Sequence, residues 1–212
     1  MKYFQKSIFQ TSALLCLLCI ATACGSGNSK LAENYTNEEL GWSIDIPNGW
    51  TIISEERYEK IRQKGKDIIE ESTGEVIDST ILAPILGFEK DLSNSLLVSA
   101  GKAELSYEGE LEEDNAFAKA NTYKIYRDQG LEVDSTSTSW VEIDGVKVQL
   151  FAFIVNHPNF SNEVVEQIYS GWYNGHVFRM YLTFDNEADR EILEAALFNS
   201  KFEKSNQPYV DH

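Results

Sequence analysis

The residues able to carry chemistry are few and thinly spread. Cys16, Cys19 and Cys24 all fall within the first 24 positions. Cys16 and Cys19 form C-x-x-C, a spacing that elsewhere serves redox or metal sites. Here both lie inside the apolar run Ala13–Ile20, where they read as small hydrophobes. Three histidines are present: His157 in the loop Asn156-His157-Pro158-Asn159, His176 just after Asn174-Gly175, and His212, the last residue. Zinc needs closely spaced nitrogen and sulfur ligands, and no such grouping occurs, so no metal site is expected. No serine sits in a nucleophile turn, and no phosphate loop, H-E-x-x-H or calcium loop is present. Glu110, Glu112, Glu113 and Asp114 make the densest acid cluster. Paired carboxylates can cleave glycosides or hold a cation. The plainer reading is the first turn of a helix, where the backbone dipole favours acids. Phe160, Tyr169, Trp172 and Tyr173 gather in sequence around the last hairpins and form the candidate binding surface, since Tyr and Trp dominate binding hot spots. The competing reading is that they fill the core.

What positions these residues begins with an address. Lys2 and Lys6 charge the start, Ala13–Ile20 is apolar, and Ala21-Thr22-Ala23 is small. That is the build of a secretory signal. The uninterrupted apolar run has eight residues, whereas a membrane-spanning helix needs about 20. Cys24 directly after the small residues resembles the lipobox of bacterial lipoproteins, with Ala21 where that pattern most often has leucine. The resemblance implies cleavage of residues 1–23, a diacylglyceryl and N-acyl lipid on Cys24, and attachment to the cell membrane or outer membrane, facing periplasm or exterior. Residues 24–39 are rich in Gly, Ser, Asn and Glu and read as a lipidated, flexible tether spanning about 20 Å. The remaining chain divides into a single globular domain over 40–204 and a C-terminal tail over 205–212.

Loss of residues 1–23 removes two lysines and no acid, so the formal charge of −16 becomes −18. An acidic body argues against nucleic acid, whose phosphates require Lys and Arg. It also argues against the body lying flat on anionic lipid. The mature chain keeps one cysteine, taken by lipid, and the domain is expected to fold without disulfide, metal or cofactor.

Along the domain, Gly41-Trp42-Ser43-Ile44-Asp45-Ile46 alternates as a half-buried strand, Pro47-Asn48-Gly49 turns the chain, and Trp50–Ile53 begins a second strand. Ser54 caps a helix running to about Glu71, with Tyr58, Ile61, Gly65 and Ile68 on one face. Strands are expected at Ile81–Glu89, with Pro84 marking an edge, and at Ser95–Glu104. A second helix is expected within Glu112–Asp128, with an acidic first turn and apolar Phe117, Ala120 and Tyr123. A four-strand meander follows: Leu131–Ile143, Val146–Val155, Glu163–Tyr173, and a last strand. Its hairpins turn at Asp144-Gly145 and Asn174-Gly175. In the last strand Phe178, Met180, Leu182 and Phe184 alternate with Arg179, Tyr181 and Thr183, which predicts one dry face. Asp185 or Asn186 caps a final helix carrying Ile192, Leu193, Ala196 and Leu197. The order ββ-α-ββ-α-ββββ-α predicts an α+β fold, an antiparallel sheet with helices packed on its faces.

Trp42-Ser43-Ile44-Asp45-Ile46-Pro47-Asn48-Gly49-Trp50 resembles the opening of PsbP-like domains. The closing hairpin through Asn174-Gly175, then Leu182-Thr183-Phe184, a short helix and Ser200-Lys201-Phe202, is similar as well. The likeness covers Leu40–Phe202 in element order and matches in residues at the two ends. It implies an α/β/α sandwich and a binding or assembly role with no common active site, so no functional residue carries over. The plant and nuclear members' partners, photosystem II and a small GTPase, do not fit a bacterial lipoprotein. The expected function is therefore a non-enzymatic accessory module, tethered to the membrane, that binds another envelope protein. The alternatives are a cell-envelope hydrolase and a carrier of a small apolar ligand.

Overall fold

A computed structural model describes residues 34–74, 82–156, 158 and 160–203. The signal segment 1–23, most of the tether, His157 and the tail 205–212 lie outside them.

Local signals fix several element ends. Ser54 Oγ accepts the N–H of Arg57 at 3.3 Å and starts α1, Glu55–Thr73; Gly74 ends it in the left-handed conformation. Asn186 accepts the N–H of Asp189 and starts α3, Glu187–Asn199. Asp144-Gly145 and Asn174-Gly175 have positive φ at both residues, the geometry of a tight hairpin turn that matches strand twist.

The strands form two sheets. The smaller contains β1 (Asn34–Asn37), β2 (Trp42–Asp45) and β11 (Lys201–Phe202), with β2 in the middle. The larger contains β3 (Thr51–Ile52), β4 (Ala83–Glu89), β5 (Ser95–Lys102), β6 (Glu132–Ser135), β7 (Ser139–Ile143), β8 (Val146–Asn156), β9 (Val164–Tyr173) and β10 (His176–Phe184). Its order is β3-β4-β5-β10-β9-β8-β6, β7 also pairing with β8. The pairings in both sheets are antiparallel.

Apolar side chains fill both faces of the large sheet. On one face Phe178, Met180 and Leu182 meet Trp42 and Ile44 of the small sheet and Leu193 and Leu197 of α3. On the other, Leu97, Phe151, Phe153, Ile168 and Tyr181 meet Tyr58 and Ile61 of α1, and Ile125 and Tyr126 of α2 (Glu110–Asp128). The α+β class and the helix-covered antiparallel sheet are as expected.

Four expectations need correction. The two opening strands do not pair with each other: β2 joins the small sheet and β3 the large one. The folded body begins inside the expected tether, because Tyr35 packs on Trp42 and its hydroxyl donates to the carbonyl of Ile85 at 2.5 Å. Ile85 is the extra residue of a bulge beside Pro84, on the stretch of β4 that extends past the two-residue β3, so the proline is tolerated where no ladder needs its N–H. The expected strand Leu131–Ile143 is broken into β6 and β7, because Thr136 keeps its N–H on the carbonyl of Ala152 but accepts the N–H of Ala152 with its hydroxyl, at 2.8 Å, in place of its carbonyl. β10 has no wet face: all nine of its residues are buried, since it is central and covered on both sides.

The buried residues of α2 are Leu111, Asn115, Ala118, Thr122, Ile125 and Tyr126. Phe117, Ala120 and Tyr123, the apolar residues that mark this helix in the sequence, point to solvent instead.

Candidate functional site

The four candidate aromatics do not form one surface. Side chains alternate along β9, so Tyr169 and Tyr173 face α3 and the small sheet while Trp172 faces the α2 side. Tyr169 is core: its ring meets Phe198 edge-on at 6.0 Å, its hydroxyl donates to Gln167 at 2.9 Å, and burial pushes its pKa up. Tyr173 is half-buried against Phe202 at 4.9 Å, with its hydroxyl on the carbonyl of Glu203. Phe160 precedes β9 at the opposite end and packs on the α1/α2 core. Trp172 alone is presented, 39% exposed, with its indole N–H donating to the carbonyl of Ala103 at 2.9 Å. Cys24, His157 and His212 lie outside the described residues. His176 is buried, its Nδ1 2.8 Å from the carbonyl oxygen of Asn174 and its Nε2 3.7 Å from Glu39. Among the described residues no group of three or more His, Cys, Asp or Glu could hold a metal ion. No described helix is long and apolar enough to cross a membrane.

The acid cluster opens α2. Glu110 accepts the N–H of Ser106, and Glu113 accepts the hydroxyl of Tyr107 at 2.9 Å. Gly109 caps the helix without a side chain, so these acids satisfy a bare helix start. Asp114 turns inward instead. Burial pushes its pKa up to about 6; Glu110 and Glu113 push the same way, and Arg179 pulls it down.

Beneath Asp114 lies a polar row that the sequence reading missed. Ser99, Arg179, Ser170 and Gln149 stand in register across β5, β10, β9 and β8. All four are buried, Arg179 to 1% exposure. Asn115 of α2 links them, donating to Gln149 at 2.7 Å and accepting from Arg179 at 3.2 Å. At one end the hydroxyl of Tyr58 lies 3.5 Å from Ser99. Two steps along the same face, Tyr126 donates to buried Glu166 at 2.8 Å. Such a network specifies how α2 sits on the sheet. The available signal was Arg179 itself, a cation inside a dense apolar strand, where local patterning and burial disagree.

No protein-family model matches the sequence, and no curated protein matches it. The solution structure of cyanobacterial PsbP (CyanoP) from Synechocystis sp. PCC 6803 superposes with a TM-score of 0.52 at 11% identity, covering 87% of this chain and 99% of that one. The fold is PsbP-like. A crystal structure from Bacteroides thetaiotaomicron VPI-5482 aligns with a TM-score of 0.49 at 10% identity; it covers 85% of this chain, which spans about half of that one, 52%. At 11% identity the likeness to the cyanobacterial structure concerns the architecture alone and carries no residue role across.

Proposed function

We propose that this chain is a lipid-anchored envelope lipoprotein, acylated on Cys24, whose PsbP-like body is a non-enzymatic accessory module binding another envelope protein. The observation that carries the reading is Trp172. A large aromatic is held at the surface beside the β9–β10 turn by a hydrogen bond from its own N–H. An orientationally fixed side chain lowers the entropy cost of docking, and tryptophan is among the residues enriched at hot spots. The lipobox-like Ala21-Thr22-Ala23-Cys24 supports the anchor, and membrane confinement lets modest affinity suffice.

Two measurements test it. Cys24→Ala abolishes palmitate labelling; undiminished labelling removes the anchor from the reading. Trp172→Ala weakens capture of an envelope partner in a cross-linking pull-down by about 30-fold or more, while circular dichroism shows an unchanged fold. Capture at full strength by a folded Trp172→Ala variant refutes the binding role of this surface.

A further inference from the structure

The outer face of α2 is an apolar stripe with charged ends, and its residues are self-complementary. Glu113, Ala116, Phe117, Ala120, Tyr123, Lys124 and Arg127 are all exposed, Phe117 to 47% and Tyr123 to 37%. Ala120 is the midpoint. Glu113 lies seven residues before it and Arg127 seven after; Ala116 and Lys124 are four away on either side; Phe117 and Tyr123 are three away. Residues three, four and seven apart share one helix face, so these positions form a single strip.

If a second α2 is laid antiparallel across a two-fold axis at Ala120, each residue meets its mirror position. Glu113 meets Arg127 of the other copy, Phe117 meets Tyr123, and Ala116 meets the stem of Lys124. The two Ala120 residues face each other with no side chain to hold the helices apart. Antiparallel helices pack with axes about 8–10 Å apart, and a seven-residue spacing suits the shallow crossing angle of that packing. Arg127 makes no ion pair among the described residues, so a carboxylate from the other copy would be its partner.

We propose that the protein pairs with a second copy of itself through α2, antiparallel and centred on Ala120. Charge complementarity selects this occupant. A uniformly basic partner would suit the Glu113 end and be repelled at the Arg127 end, where Lys124 is already paired with Asp128 at 2.6 Å, and an acidic one the reverse. A reversed copy of the same helix satisfies both ends at once, which is the defining property of a two-fold interface. The inference goes beyond the binding role of Trp172 and does not depend on the lipid anchor.

The test uses the full chain. Ala120→Cys, treated with a mild oxidant, gives a disulfide-linked homodimer on a non-reducing gel, since facing α-carbons at that helix spacing lie within disulfide reach. The unsubstituted chain sets the background from the native cysteines, and Glu191→Cys on α3, across the sheet, gives no increase over it. Adding Glu113→Arg to Ala120→Cys lowers the dimer yield about tenfold, and adding Arg127→Glu as well restores it. The variants change exposed side chains, and circular dichroism confirms that they fold. No dimer from Ala120→Cys, equal yield from Glu191→Cys, linkage to a protein of another size, or failure of the double reversal to restore pairing each overturns the proposal.

Discussion

Replacing Asp114 by asparagine should stabilise the protein at neutral pH, and the structure fixes the size and pH window of the effect. Asp114 is raised from its ordinary 3.8 to about 6, burial being the largest cause. A carboxyl raised in the folded state holds its proton where the unfolded chain has already lost it. Its contribution to stability is therefore complete below about pH 4 and disappears as pH rises through about 6. Two units at 1.36 kcal/mol each set a ceiling of roughly 3 kcal/mol. Asp114 is only partly buried, so solvent screening brings the expectation to about 1–2 kcal/mol. Asparagine keeps the shape and carries no charge to strand. At pH 7.5 Asp114→Asn should thus melt about 3–6 °C above the parent, and the gap should close near pH 4. Thermal melts of both proteins across pH 4 to 7.5 measure it. Subtracting the curves cancels other titrations, such as those of Asp185 and Asp189, whose hydrogen bonds hold them low against burial. A variant less stable than the parent at pH 7.5 would show that attraction to Arg179 outweighs burial, and a gap independent of pH would show that Asp114 does not titrate in this window.

Two packing predictions accompany it. A β-carbon on Gly171 would lie 2.6 Å from the Phe178 ring and 2.8 Å from Val148, so Gly171→Ala should cost about 2–3 kcal/mol through overpacking; an unchanged urea midpoint would contradict this. Tyr35→Phe removes the hydrogen bond to Ile85 and should cost about 1 kcal/mol. A neutral result, together with equal melting of chains begun at Asn34 and at Leu40, would show that β1 is not part of the cooperative unit.

The parts of the fold legible in the sequence are those decided by neighbouring residues. Asn174-Gly175 and Asp144-Gly145 announce hairpins because both central residues must adopt positive φ. Ser54 and Asn186 announce helix starts through their own side-chain oxygens. Strand partnership is another matter. Trp42 and Trp50 flank one turn, yet the Trp42 indole donates to Ser200 and Trp50 packs edge-on against Phe88 at 5.8 Å. Those partners lie far along the chain and draw the two strands into different sheets. The aromatic cluster failed for the same reason: adjacency in sequence placed Phe160, Tyr169, Trp172 and Tyr173 together, and the pleat and length of β9 separate them.

The most instructive element is α2, whose apolar stripe in the sequence is not its buried face. Turning the helix to bury Phe117 would gain about 1.5–3 kcal/mol of apolar transfer. It would also withdraw Asn115 from Gln149 and Arg179, groups that the sheet has already removed from water. Each buried polar group left without its partner costs about 1–3 kcal/mol, and more when charged. With two such groups on the sheet and Asn115 itself at stake, the polar row outweighs the phenylalanine. Arg179 and Gln149, together with the apolar Leu111, Ala118, Ile125 and Tyr126 on the same face, thus determine which face of α2 the protein hides, and so which face it shows. The exposed stripe is a consequence of a core that is polar at one level, and it is available to a second α2 because the first one's rotation is set from beneath.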